Sequence, residues 1–162
     1  MTPAIELAKK HGLDYQIYEY THDSNAESFG LEAAEKLGVA VTQVFKTLVV
    51  STDTGVLAVA ILPVDKQLNY KKMAKALSAS KLLSCKKVQM AEPKQVERST
   101  GYVLGGVSPL GQKKRLKTVI DSSAQAQTTI YVSGGRRGLE IELPPTQLAT
   151  VLAAHFNTIT DE

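Results

Sequence analysis

Residues 44–64 read VFKTLVVSTDTGVLAVAILPV. Two runs of β-branched and aliphatic side chains flank the polar tetrad TDTG, the pattern of an antiparallel hairpin with a turn longer than the tightest type. The remaining elements have to be arranged around that hairpin. Thr2-Pro3 before AIELAKKHG predicts a helix, with Thr2 as N-cap and Gly12 closing it. YQIYEY (15–20) alternates as a strand does. HDSNAESFG (22–30) reads as a polar loop and LEAAEKLGV (31–39) as a short helix ending at Gly38. Residues 69–84 predict a helix with Met73, Ala76 and Leu77 on one face and lysines on the other. A short strand is expected over 86–91 and a helical turn or two over 92–100. Strands follow at 118–122, 128–135 and 139–143, the last two joined by GGRRG. A final helix is expected over 146–156, started by Pro144-Pro145.

Helices and strands thus intermix, with at least two hairpins and no repeat, low-complexity tract or linker. The expected class is α+β with a mixed, largely antiparallel sheet rather than a doubly wound one. The 162 residues suit one domain spanning 1–162. Apolar residues at 43% supply a core, and charged residues at 22% are near the ordinary share, which excludes a disordered chain. Lys plus Arg exceed Asp plus Glu by 19 to 16, which permits an anionic partner without demanding one. The single cysteine, Cys85, forms no internal disulfide. The N-terminus has no signal-peptide core, and the longest apolar run falls short of the roughly 20 residues of a membrane helix. The expectation is a cytoplasmic protein without membrane attachment.

The chemistry-bearing residues are few. His11, His22 and His155 are far apart and fit no ligand spacing, so no metal is expected. Ser108 is followed by Pro109, which has no N–H to offer an oxyanion, so Ser108 is a poor nucleophile. Lys46 is different: it stands inside the apolar run VFKTLVV, where an ammonium must reach either water or an anion. Two readings stay open, a snorkelling lysine and a cation aimed into a pocket. Two glycine-rich stretches, TGYVLGGVSPLGQKKRL (100–116) and YVSGGRRG (131–138), are open to two readings as well. They are sharp turns, or backbone that forms an anion-binding wall. Cations lie beside both: Lys113, Lys114 and Arg115 by the first, Arg136 and Arg137 by the second. Lys71, Lys72 and Lys75 add a helical set. Together they form either solvated faces or a phosphate-binding track.

QVFKTLVV, STGYVLGGVSPLGQKKRL, TVIDSSA and TIYVSGGRRGLEIEL, in this order, resemble the YbaK/ProX family of aminoacyl-tRNA deacylases. That family includes the editing domain inserted in bacterial prolyl-tRNA synthetases. The likeness covers nearly the whole chain and is closest to the YbaK branch, the Cys-tRNA(Pro) deacylases. It implies a partly barrel-like β core with flanking helices and a small pocket for the 3′ end of a charged tRNA. Lys46 matches the family lysine within VFKTL, next to Thr47. Gly101 and the segment holding Gly105, Gly106 and Ser108 match the pocket wall, and Ser133, Gly134 and Gly135 match its SGG turn. Tyr20 and Phe29 match pocket-lining aromatics, and Glu140 stands where close relatives often have Asp. The cations Lys71, Lys72, Lys113, Lys114, Arg115, Arg136 and Arg137 would meet tRNA phosphates. One departure is plain: ALSASKLLSCKKV is several residues longer than the family segment, and Cys85 lies in it, which argues against a catalytic Cys85.

The resemblance further implies trans-editing: removal of cysteine from Cys-tRNA(Pro), with Cys-tRNA(Cys) a further substrate. No cofactor is implied, and prolyl-tRNA synthetase is the implied partner. The substrate thiol attacks its own carbonyl to give a thiolactone, with glycine N–H groups receiving the oxyanion. The rivals are hydrolysis of Ala-tRNA(Pro) by water and a non-catalytic module that binds tRNA or synthetase.

Overall fold

The computed structural model describes residues 1–25 and 28–162; of the loop expected over 22–30, residues 26 and 27 lie outside the described residues. The helices are α1 (Pro3–Lys10), α2 (Phe29–Leu37), α3 (Tyr70–Ala79), α4 (Pro93–Thr100) and α5 (Pro145–Leu152). The strands are β1 (Gln16–Glu19), β2 (Phe45–Thr52), β3 (Leu57–Pro63), β4 (Val88–Met90), β5 (Lys117–Asp121), β6 (Ile130–Ser133), β7 (Leu139–Leu143) and β8 (His155–Asn157). They form two sheets, one of order β1-β7-β6 and one of order β4-β2-β3-β5-β8. All pairings are antiparallel except β3 with β5 and β5 with β8. The α+β class with mixed strands is as the sequence predicts, but neither sheet closes on itself. Beyond the two sheets' own pairings, a parallel bridge from Val44, just ahead of β2, to Tyr131 links the start of β2 to β6.

Local chemistry sets the helix ends. The Thr2 and Ser28 hydroxyls cap α1 and α2, accepting the N–H groups of Ile5 and Leu31, each at 3.3 Å. The Ser28 cap starts α2 two residues earlier than the apolar periodicity indicates. Gly38 ends it at φ +68, a conformation that costs glycine no Cβ clash. α3 stops at Ala79, short of the expected Ser84, and Lys81 turns the chain at φ +57. The largest correction is at the C-terminal end. The helix expected through Phe156 ends at Leu152, Ala153 turns at φ +53, and His155–Asn157 leave to pair in parallel with β5.

The five-stranded sheet is covered on both faces. Phe45, Val49 and Ile61 pack with α1, α5 and the smaller sheet through Ala4, Ala8, Leu148, Ile141 and Leu143. Val50, Ala60 and Leu62 pack against Met73 and Leu77 of α3. Leu143 and Leu148 are fully buried, and truncating either to alanine costs about 2–5 kcal/mol. A third, smaller cluster joins Ala33 and Ala34 of α2 to Val44, Val64 and Tyr131. α2 therefore sits near the seam of the two sheets, where the β2–β6 bridge lies. Among the described residues no helix is long and apolar enough to cross a membrane.

Candidate active site

A cavity of about 260 Å³ opens at that seam. β2 supplies Phe45, Lys46, Thr47 and Leu48; β6 and β7 supply Ser133 and Glu140; α2 and its cap supply Ser28, Phe29 and Gly30. Tyr20, Leu104, Gly105, Val107, Val44, Val64 and Arg137 complete the lining. Seven of the residues that the resemblance marks as catalytic or substrate-binding are thus together: Tyr20, Phe29, Lys46, Thr47, Gly105, Ser133 and Glu140. Arg137, expected on tRNA phosphates, lies in the same lining.

Each polar group is held by its element. Glu140 pairs with Ser133 across β6–β7 and with Tyr18 across β1–β7, which fixes it in the middle strand of the small sheet. The residue is 7% exposed, and burial pushes the carboxyl from its ordinary 4.5 up to about 8. Near neutrality it is therefore mostly protonated. Tyr20 is pushed up to about 12, first by burial and then by the charges of Glu140 and Glu32, so its hydroxyl stays intact. Its N–H donates to Gly138 O at 2.9 Å. Lys46 lies below the ordinary lysine range because of burial, with Asp65 acting in the opposite sense. A half-buried ammonium and a buried carboxyl in one lining suit a ligand that carries both an anionic or carbonyl oxygen and an amino group.

The wall near α2 is built from side-chain contacts. The Arg137 guanidinium stacks 3.8 Å over the Phe29 ring, a cation–π contact. The same guanidinium lies 4.0 Å from the buried Glu32 carboxylate and donates to Asp23 O at 3.0 Å. Gly105, at φ +91, leaves room for Phe29; a Cβ there would come within 2.7 Å of the ring.

Other sequence-predicted residues lie outside the lining, for steric reasons that the sequence does not distinguish from ligand contact. Gly101 is the left-handed cap of α4 at φ +83, and a Cβ there would meet only the Lys113 side chain, at 3.9 Å. Gly106 is bare because Arg136 Cα passes 2.8 Å from where its Cβ would sit. Gly134 packs on Leu139, and Gly135 on Tyr102 and Thr2. Ser108 is fully buried, its hydroxyl accepting the Leu110 N–H at 3.2 Å. The wall expected from the first glycine stretch thus reduces to Leu104, Gly105 and Val107.

The expected cation track is dispersed. Lys114 and Arg115 line a separate groove with His11, Leu7 and Val151 between α1 and α5. Lys113 flanks Gly101. Lys71 is exposed on α3, whereas the Lys72 ammonium donates to Thr160 O at 2.8 Å and ties down the C-terminal segment. Arg136 pairs with Glu19 at 3.3 Å. Cys85 is half-buried, its sulfur 3.7 Å from Ala74 O, and does not line the cavity. No cluster of three His, Cys, Asp or Glu side chains suited to a metal occurs among the described residues. Sequence reasoning missed Ser28, Gly30 and Val64. The first had a signal, a serine ahead of the helix; the close fit of Gly30 on Val64 had none.

The sequence matches the family model described as "Aminoacyl-tRNA editing domain" over residues 24–151. A protein of Enterococcus faecalis, named "Putative Cys-tRNA(Pro)/Cys-tRNA(Cys) deacylase EbsC", is 38% identical over 163 residues, covering 98% of this chain and 93% of that protein. The uncharacterized protein YwhH of Bacillus subtilis is 26% identical over 118 residues, 73% of this chain and 71% of that one. The crystal structure of a hypothetical protein, APE2540, superposes with a TM-score of 0.85 at 26% identity, covering 99% of this chain and 100% of its own. A second solved structure, described as "a putative trans-editing enzyme for prolyl tRNA synthetase", gives 0.84 at 19% identity over 99% and 96%. That second likeness is one of fold.

Proposed function

This chain belongs to the aminoacyl-tRNA editing-domain family, and we propose that it removes cysteine from mischarged Cys-tRNA(Pro), and from Cys-tRNA(Cys), by letting the substrate thiol attack its own ester. The observation that carries this reading is a cavity that gathers Lys46, Glu140 and Tyr20 while, among the described residues, its lining holds neither cysteine nor histidine. A serine or threonine hydroxyl without a neighbouring base is a weak nucleophile, whereas a thiol is a few per cent ionised at pH 7. The cavity then acts by orientation, which alone is worth roughly 7–11 kcal/mol when reacting atoms are held in attacking geometry.

The residues divide the work. Glu140 receives the substrate α-ammonium, whose charge favours the ionised carboxylate that burial otherwise resists. Lys46 faces the carbonyl or the terminal phosphate. Phe29 and Leu104 cover the aminoacyl group and exclude water, which favours cyclisation over hydrolysis. Arg137 in the lining, with Arg136 next to it in the chain, would meet the tRNA backbone as it approaches. Prolyl-tRNA synthetase is the partner we propose for choosing the tRNA, because the cation clusters do not converge into one recognition surface.

The test is a panel of cysteinyl-, alanyl- and seryl-tRNA, with and without prolyl-tRNA synthetase. Cysteinyl-tRNA should be cleaved fastest and should yield the thiolactone. Equal turnover of alanyl-tRNA, which has no thiol, would replace cyclisation by hydrolysis. No turnover of any charged tRNA would leave a binding module.

A further inference from the structure

One stretch of β2 has a neighbour on one side only. Even-numbered residues of β2 and its flanks exchange main-chain hydrogen bonds with the β3 side: Val64 N–H donates to Val44 O, and Thr52 N–H to Val56 O, both at 2.9 Å. In an antiparallel ladder the intervening residues turn N–H and C=O to the opposite edge. On that edge β4 covers the C-terminal half, where Ala91 N–H donates to Val49 O and Asp53 N–H to Lys87 O, both at 3.0 Å. At the other end β6 meets the chain only through the bridge from Val44 to Tyr131. Thr47 lies between the two. Neither β4 nor β6 pairs with it, and it lines the cavity with Ser133 and Glu140. Its hydroxyl is buried and has no hydrogen-bond partner among the described residues. A strand edge left open inside a cavity is a fixed pair of hydrogen-bonding groups held by the rest of the sheet. The glycines expected to supply N–H donors mostly lie elsewhere: Gly101, Gly106, Gly134 and Gly135 are outside the lining.

We propose that the main-chain N–H of Thr47 is the donor that receives the substrate carbonyl oxygen as it becomes an oxyanion. The inference rests on the deacylase reading above. In the step, a sulfur electron pair forms the C–S bond to the ester carbon and the carbonyl π pair moves onto oxygen. Collapse of that oxyanion breaks the C–O bond to the ribose, and the proton lost by the thiol ends on the ribose hydroxyl. Atoms and charge balance with no co-reactant. An N–H fixed by the β2–β3 ladder does not have to reorient as the charge develops, which is the condition for effective oxyanion stabilisation.

The test removes that one N–H. Placing the α-hydroxy analogue of threonine at position 47 converts the Lys46–Thr47 amide to an ester and keeps the side chain. The single-turnover rate on Cys-tRNA(Pro) should fall on the order of 100–1000-fold, the loss typical of one oxyanion donor. Binding of the charged tRNA should change by less than about 3-fold, because the contact forms in the transition state. The same ester at Val50, whose N–H belongs to the β3 ladder, should lower the melting temperature and keep the rate. Thr47→Pro is the second variant. Its missing N–H faces away from β3, so the hairpin ladder stays whole, and the same rate loss is expected at near-parental melting temperature. A folded position-47 ester or Thr47→Pro protein with the parental single-turnover rate overturns the proposal. If the unmodified protein cleaves no charged tRNA, the deacylase reading falls and this inference falls with it.

Discussion

Glu140→Gln should change the pH dependence of stability in a defined window. The carboxyl of Glu140 is raised from 4.5 to about 8 by burial. Between those two values the unfolded chain has released the proton and the folded chain still holds it. Stability therefore falls as pH rises through this window, and it levels off above about 8. A span of about 3.5 in pH at about 1.36 kcal/mol each gives on the order of 5 kcal/mol as the upper bound. Glutamine keeps the shape, cannot ionise, and lacks this slope. The assay is urea unfolding of parent and variant at half-unit steps from pH 5 to 9, read as the difference in unfolding free energy. Subtraction removes the groups that titrate alike in both proteins. The difference should favour the variant progressively up to about pH 8. Parallel profiles across the window would show that Glu140 is solvated or already paired, and the reasoning from its burial would fail.

Lys46→Ala should abolish deacylation with the melting temperature held within a few degrees, and near-normal turnover would remove Lys46 from the site. Gly105→Ala forces a Cβ to 2.7 Å from Phe29, so it should displace the ring and raise KM for charged tRNA; an unchanged KM would show that the ring does not border the substrate. Gly101→Ala, at φ +83 with only the Lys113 side chain in contact at 3.9 Å, should cost about 1–2 kcal/mol in stability. The rate per folded molecule should be unchanged, and a lost single-turnover rate in folded protein would return Gly101 to the pocket wall.

What could be read from the sequence depended on whether a residue broke its local pattern. Lys46 did, as a lone cation in an apolar run, and the structure places it in the cavity. Glu140 sits in LEIEL, which reads as a strand, but which strand covers it is a matter of sheet order. The glycines were the least legible. Absence of Cβ serves equally well for a helix cap, a ligand wall and the passage of another backbone. Gly101 is the first, Gly106 the third, and nothing within GYVLGG separates them. The end of the last helix was hidden for a related reason. Alanine at 153 adopts the left-handed turn that glycine usually marks, so periodicity ran on through His155 and Phe156.

The smallest apolar cluster has a consequence for how this protein responds to its surroundings. Among the described residues α2 fully buries two apolar side chains, Ala33 and Ala34, with Leu37 partly buried beside them, and its polar face is held by charge. Arg137 stacks on Phe29 and reaches toward Glu32, and Lys36 lies 3.7 Å from the same carboxylate. Glu32 is buried, so mobile ions weaken the pair of the part-exposed Lys36 more than that of Arg137, and they leave aliphatic packing nearly untouched. Salt concentration is then expected to act as a dial on how firmly α2 is held at the cavity wall, and temperature or denaturant as a dial on the survival of the fold. The two can be turned separately because one helix face belongs to the first and both sheets belong to the second.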